Sequence, residues 1–257
     1  KRLVSHWRLD EASGDAKDSI GTNHLTDTAT VTNGPGKVGG GRKFTSANSE
    51  YFTVADNASL SVSHTEFLVD AWVRLDSKPT NDMTIVAKWT TTGNQRSFKL
   101  IWEDVLDRFQ LIVSPDGTAT DNLTVTANTF GAPSIGDWNH ITAWLDQDAL
   151  KIYIRVNAGA ADSTANTTGI FDGTAAFTIG ANTTTDYWNG MIDEVRFGKF
   201  VPTTQLIDAW YNEGLGAPLS SNLENFVWLC EVWMESSDAE GIYDTLLPDW
   251  FWKIERT

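Results

Sequence analysis

Cysteine is nearly missing from this chain. Cys230 is the only one in 257 residues, so neither an intrachain disulfide nor a multi-thiolate zinc site can form. Histidine is also scarce: His6, His24, His64 and His140 are too far apart for metal-ligand spacing. Positive charge is in short supply, with 19 Lys and Arg against 34 Asp and Glu and a net charge of −15. That balance argues against a nucleic-acid backbone or an anionic membrane as partner. The acids are scattered, as on a solvated acidic surface. No apolar run approaches the roughly 20 residues of a membrane span. The chain opens on Lys1 without Met or a hydrophobic leader, the pattern of a processed or excised segment. There is no G-x-S-x-G elbow and no H-E-x-x-H pair, and "GKVGGG" lacks the Lys-Ser/Thr ending of a phosphate loop.

What is present is aromatic and β-prone. Twelve Trp, 12 Phe and 41% hydrophobic residues supply a large core. Before residue 200, period-two alternation dominates, broken by Gly, Asn, Asp and Thr clusters. Strands are expected at 3–9, 50–54, 67–75, 84–89, 97–102, 108–114, 122–127, 139–146, 149–157, 175–181 and 189–197. In 67–75, Phe67, Val69, Ala71, Val73 and Leu75 oppose Asp70, Trp72 and Arg74. So many strands in one run require two packed sheets. "LDQDALKI" predicts a tight hairpin turn, and "TNGPGKVGGGRKF" (32–44) a flexible Gly-rich crossing. "PTTQLIDAWYNEGLG" predicts a helix starting at Thr203 or Thr204 and stopped by Gly214. Residues 214–257 abandon this rhythm and carry Trp228, Trp233, Trp250 and Trp252. They form a C-terminal extension with helical character around 222–236. Its apolar content predicts docking or self-association through 215–257. Four N-x-Ser/Thr sequons, at Asn57, Asn122, Asn166 and Asn182, matter only in a eukaryotic secreted protein.

"HWRLDEASGDAKDSIGTNHLT", "FLVDAWVRL", "DWNHITAWLDQDALKIYI", "FTIGAN", "YWNGMIDEVRF" and "LIDAWYNEG" occur in one order over about residues 3–213. This segment resembles the laminin G-like branch of the concanavalin A-like lectin and glucanase superfamily. The resemblance implies an all-β, two-sheet antiparallel jelly-roll sandwich with a short helix after the last strand. It also implies a non-catalytic extracellular carbohydrate-binding or adhesion module. A structural subunit of a cell-surface or virion assembly is the alternative. A polysaccharide-cleaving enzyme is the third class; glucanases of the superfamily carry an E-x-D-x-E or E-x-D-x-x-E strand that this chain lacks.

The candidate residues follow from pattern and resemblance together. Asp193 and Glu194 are neighbours in an expected strand, so they should face opposite sides of the sheet and share no substrate. Asp193, Val195 and Phe197 then share a face. If the first and last strands pair, Asp10 approaches Asp193, and these two acids with Asp18 and Asn23 could hold Ca2+. The alternative is that Asp10 and Asp193 accept backbone hydrogen bonds at strand ends. Trp7, Trp72, Trp138 and Trp144 are expected in the core. Trp89, Trp102, Tyr187 and Trp188, near strand ends and loops, are the expected glycan-facing aromatics. Asn94, Arg96 and Asp186 would supply their hydrogen bonds.

Overall fold

The computed structural model describes residues 3–63, 65–212 and 215. The proposed extension, the Gly214 stop and His64 lie outside them. The first strands are β1 (Leu3–Trp7), β2 (Thr26–Thr28), β3 (Thr32–Pro35), β4 (Gly40–Phe44), β5 (Tyr51–Val54), β6 (Phe67–Leu75) and β7 (Met83–Thr90). Next come β8 (Gln95–Glu103), β9 (Arg108–Val113), β10 (Leu123–Thr126), β11 (Trp138–Asp146) and β12 (Lys151–Val156). The series ends with β13 (Asp162–Ala165), β14 (Phe177–Ile179), β15 (Gly190–Gly198) and the helix α1 (Thr204–Tyr211). One sheet runs β13-β12-β11-β6-β15-β4-β3, with β1 also paired to β15, and the other runs β10-β9-β8-β7-β14-β5-β2. The two antiparallel sheets form the expected sandwich, and no helix among the described residues is long and apolar enough to cross a membrane.

Alternation decides which side chains meet between the sheets. From β6, Phe67, Val69, Ala71, Val73 and Leu75 join Phe98, Leu100, Trp102, Phe177, Ile192 and Phe197 in one core. The opposite face of the first sheet is covered as well, because α1 packs Ile207 and Trp210 against Leu68, Trp144 and Phe200. The Thr203 hydroxyl accepts the Leu206 amide at 3.2 Å and starts the helix. Asn212, at φ 45, takes the left-handed position that ends it, two residues ahead of the glycine expected there.

The glycine-rich stretch 32–44 is a hairpin of β3 and β4, not a flexible crossing. Gly36 donates to the Gly39 carbonyl at 3.2 Å to close the turn. A Cβ at Gly36 would lie 1.7 Å from the Gly40 carbonyl oxygen and 2.7 Å from Asp193 Oδ2. Glycine is needed there for close approach.

The largest departure from the expected pattern lies in β15. Along β6 its register runs to Asp193↔Trp72, then slips before Arg196↔Asp70. On its other edge the partner changes from β4, at Ile192↔Arg42, to β1, at Val195↔Trp7. Glu194, at φ 52, absorbs the extra residue as a β-bulge. Ile192, Val195 and Phe197 therefore enter the core, while Asp193 and Arg196 take the outer face. The expected trio of Asp193, Val195 and Phe197 on one face does not form. Nor does the bulge send Glu194 to the side opposite Asp193. Its carboxylate contacts Arg196 Nη2 and lies 2.8 Å from His6 Nε2. Arg196 Nη1 lies 2.8 Å from Asp70 Oδ1, and Asp70 Oδ2 accepts from Thr142 at 2.6 Å with His140 Nε2 at 2.8 Å.

These groups are buried beneath α1, and Trp210 places its ring 5.3 Å from the Arg196 guanidinium carbon. Burial lowers the His6 pKa against the pull of Glu194. Burial alone would raise the Asp70 carboxyl, but His140, Arg196 and Thr142 together hold it below the ordinary carboxylate range. Asp193 is pushed up to about 8, by burial first and then by the Glu194 charge, despite amide hydrogen bonds.

Two stability predictions follow. Arg196→Met strands Asp70 and Glu194 in the interior and should cost about 3–5 kcal/mol in urea denaturation; a loss below about 1 kcal/mol would contradict the central place of the guanidinium. Between about pH 4 and 8 the folded chain keeps a proton on Asp193 that the unfolded chain releases, so stability falls as pH rises through that window. Asp193→Asn removes this contribution while keeping an acceptor, so its stability relative to wild type should rise from pH 5 to pH 9. Parallel pH curves for the two proteins would refute the assignment.

Candidate functional site

Most of the expected glycan-facing aromatics are not at the surface. Trp188 is 0% exposed, Trp102 1%, Trp89 5% and Arg96 8%. Trp102 and Trp188 belong to the core, and the Trp102 indole donates to Asp107 at 2.8 Å. The Lys99 ammonium sits 5.6 Å from the Trp89 ring centroid. Arg96 is spent on Asn94 and the Gly117 carbonyl, each at 2.9 Å. Strand ends were expected to be open, but the loops that close the sandwich bury these. Asn94 is exposed, and Asp186 and Tyr187 are half-buried, with Tyr187 paired to Tyr51 at 6.1 Å. They do not gather with the others into one ligand surface.

Of the four expected calcium ligands, Asp10, Asp18 and Asp193 do not bring their carboxylate oxygens within 4.8 Å of one another, and each of the four makes hydrogen bonds. Asp18 accepts amides from His6, Ile20, Gly21 and Asn23 at 2.9–3.1 Å, which outweigh burial and hold its carboxyl below the ordinary range. Asn23 bonds Ser5, Asn57 and Ser59. Asp10 accepts the Gly40 amide at 2.8 Å. Asp193 Oδ2 accepts the Lys37 and Val38 amides at 2.7 and 2.9 Å. The alternative reading, backbone acceptance by Asp10 and Asp193, is the one observed. β1 and β15 do pair, and the two acids grip the two ends of one turn. Elsewhere, carboxylate oxygens of Asp82, Glu103 and Asp104 lie within 4.8 Å of one another. Burial, then the charges of Asp186 and Glu103, raises Asp82 against the pull of Lys99 and the Asp104 amide.

The turn gripped by Asp10 and Asp193 forms one wall of an open groove. The groove has a volume of about 570 Å³ and is lined by Lys37, Ser134, Asp137, Trp138, Asn139 and Asn157, with Phe130, Ala132 and Gly136 beside them. Trp138 and Arg74 are cross-strand partners. Trp138 is half-buried, not a core residue as expected, and the Arg74 guanidinium lies 5.8 Å from its ring centroid. Arg74 is itself fixed by Asp76 at 3.0 Å. Asn157 accepts the His140 amide at 2.8 Å and Asn139 donates to the Asp137 carbonyl at 3.1 Å. Asn157, which is half-buried, thus has further hydrogen-bonding capacity for a ligand, whereas Asn139 is buried. The Lys37 ammonium lies 4.7 Å from the ring centroid of Trp72, and Tyr211 of α1 stacks on that ring at 5.8 Å. The groove therefore adjoins the face that α1 covers. Its aromatic ring and amide groups were missed in sequence, although parity in 138–146 places Trp138 with His140 and Thr142.

A comparison with curated proteins returned no match. Solved structures share the fold. Domain 4 of AbnA, a GH43 extracellular arabinanase from Geobacillus stearothermophilus, solved in complex with arabinotriose, is 19% identical. Its TM-score is 0.58, over 84% of this chain and 98% of that one. The binding domain of Paraclostridial Mosquitocidal Protein 1 is 16% identical with a TM-score of 0.65, over 82% of this chain and 52% of that one. The binding domain of botulinum neurotoxin serotype C1 is 12% identical with a TM-score of 0.62, over 84% and 52%. The chain spans about half the length of these toxin binding domains. The profile of the concanavalin A-like lectin/glucanases superfamily matches residues 46–207, more than half of the sequence. The chain therefore belongs to that superfamily, as a laminin G-like domain.

Proposed function

We propose that this domain is a non-catalytic carbohydrate-binding module that acts outside the cell. The observation that carries the reading is the groove: a half-buried indole set among two asparagines, a serine, an acid and an ammonium. A planar ring matches the apolar face of a sugar, and amide and charged groups match its hydroxyls. The volume of about 570 Å³ falls in the range of small-ligand sites. The fold relatives point the same way, since the arabinanase domain was solved with arabinotriose and a neurotoxin binding domain with SialylT. The extracellular part of the reading rests on that kinship.

The non-catalytic part has its own support. Hydrolysis by the two-carboxylate route needs a pair of acids flanking the scissile bond. Among the described residues, Asp137 is the one acid that lines the groove. Asp70, Asp193 and Glu194 are each 0% exposed, and the last of these is neutralised by Arg196.

Native electrophoresis in gels containing arabinan, xylan, galactan, polygalacturonate or hyaluronate tests the reading. The wild-type chain should be retarded by at least one of them. Trp138→Ala should weaken that retention on the order of tenfold, and Trp138→Phe, which keeps a ring, should weaken it less. Retention by none of the five, or equal retention of Trp138→Ala at an unchanged thermal midpoint, would overturn the assignment to this groove.

A further inference from the structure

Among the described residues, Lys37 is the only cation lining the groove. Among the described residues, no carboxylate lies within ion-pairing distance of its ammonium, whose recorded neighbour is the Trp72 ring at 4.7 Å. Its backbone is also fixed. Asp193 Oδ2 accepts the amides of Lys37 and Val38, Gly36 bonds Gly39 across the turn, and Asp10 holds Gly40. Three separate anchors on a turn of five residues fix the point from which this side chain leaves the backbone.

None of the acids on this turn or behind it is ion-paired to Lys37, and Asp10 is engaged with the Gly40 amide. Asp193 touches the Lys37 amide, but burial pushes it up to about 8, so at neutral pH it holds the turn mostly in its uncharged form. Glu194 is neutralised by Arg196 and bonded to His6. Asp137 lines the groove but makes no ion pair with Lys37. A charge at one fixed point of a polar groove is an arrangement that recognises an opposite charge on a ligand.

We infer that the groove takes an acidic saccharide, whose carboxylate pairs with the Lys37 ammonium while a sugar ring lies against Trp138. This rests on the carbohydrate-binding reading and narrows it to uronate-like sugars. Asp137 and Asn157 then meet hydroxyl groups. The net charge of −15 repels polyanions at long range, so retention by one reports a local contact.

Polygalacturonate and hyaluronate, each beside its carboxyl methyl ester, separate the charge from the rest of the sugar. Wild type should bind one of the acids about tenfold more tightly than its ester. Added salt should narrow the gap. Lys37→Met should bind the acid and the ester equally, with an unchanged thermal midpoint, and Lys37→Arg should restore most of the preference. Equal binding of acid and ester by wild type overturns the inference and leaves the broader reading standing. So does retention by neutral arabinan, xylan or galactan alone. An acid preference that survives Lys37→Met overturns the role of Lys37, and binding to no polysaccharide overturns both readings.

Discussion

The guanidinium of Arg196 is the interaction on which the arrangement of the first sheet depends. It lies at a 2.8 Å contact with Asp70 and against Glu194, with all three side chains buried. Two carboxylates in that setting, without a cation between them, would have to take up protons or draw in water. With Arg196 between them both have a cationic partner and can be sealed under a helix. The seal is aromatic: Trp210 covers the guanidinium and Tyr211 stacks on Trp72. Hydrophobic packing by α1 and the ionic layer below it thus depend on each other, because either alone would leave the outer face of β6, β11 and β15 half-solvated.

The bulge at Glu194 makes this layer geometrically possible. A regular strand would turn Glu194 into the core between the sheets, where Phe98, Phe177 and Phe197 lie. One extra residue in the left-handed conformation keeps Ile192, Val195 and Phe197 inward and leaves Asp193, Glu194 and Arg196 on the outer side. The bulge also falls where β15 exchanges β4 for β1 as its neighbour. Asp193 is thereby brought under the β3–β4 turn instead of a flat sheet edge. Its carboxyl oxygen Oδ2 holds Lys37 and Val38 there, and the groove acquires a fixed wall.

Much of the sandwich was legible in the sequence because burial on one face imposes a period of two. The segment 67–75 shows it most clearly, and β6 occupies the same nine residues. Elements without that signature were missed: Thr26–Thr28, Thr32–Pro35, Gly40–Phe44 and Asp162–Ala165 are short, rich in Gly or Thr, or at sheet edges. The bulge was illegible for a related reason. Nothing in "GMIDEVRF" marks Glu194 for a positive φ, since the strain there is compensated by partners distant in sequence, among them His6. The aromatics were misassigned because position along a strand indicates exposure only where no loop covers the strand end. Trp188, next to Asn189 and Gly190, has the local surroundings of a surface residue and the exposure of a core one.

The same reasoning explains why the candidate site is polar. In this sandwich most of the tryptophan among the described residues is consumed by the core and by α1. Trp7, Trp72, Trp102 and Trp188 are all but fully buried, whereas Trp138 keeps part of its ring free at the end of β11 that α1 does not seal. Recognition must then come from one indole face supplemented by hydrogen bonds and charge. The fixed groups around it, Asn139, Asn157, Asp137 and Lys37, are of that kind. The two asparagines are held by hydrogen bonds to the scaffold, and the Lys37 backbone by a turn pinned to Asp10 and Asp193. Rigidity of this sort lowers the ordering cost of binding, which matters most where the hydrophobic contribution is small. The buried acids therefore bear on binding through the placement of the groove wall, without contact with the ligand.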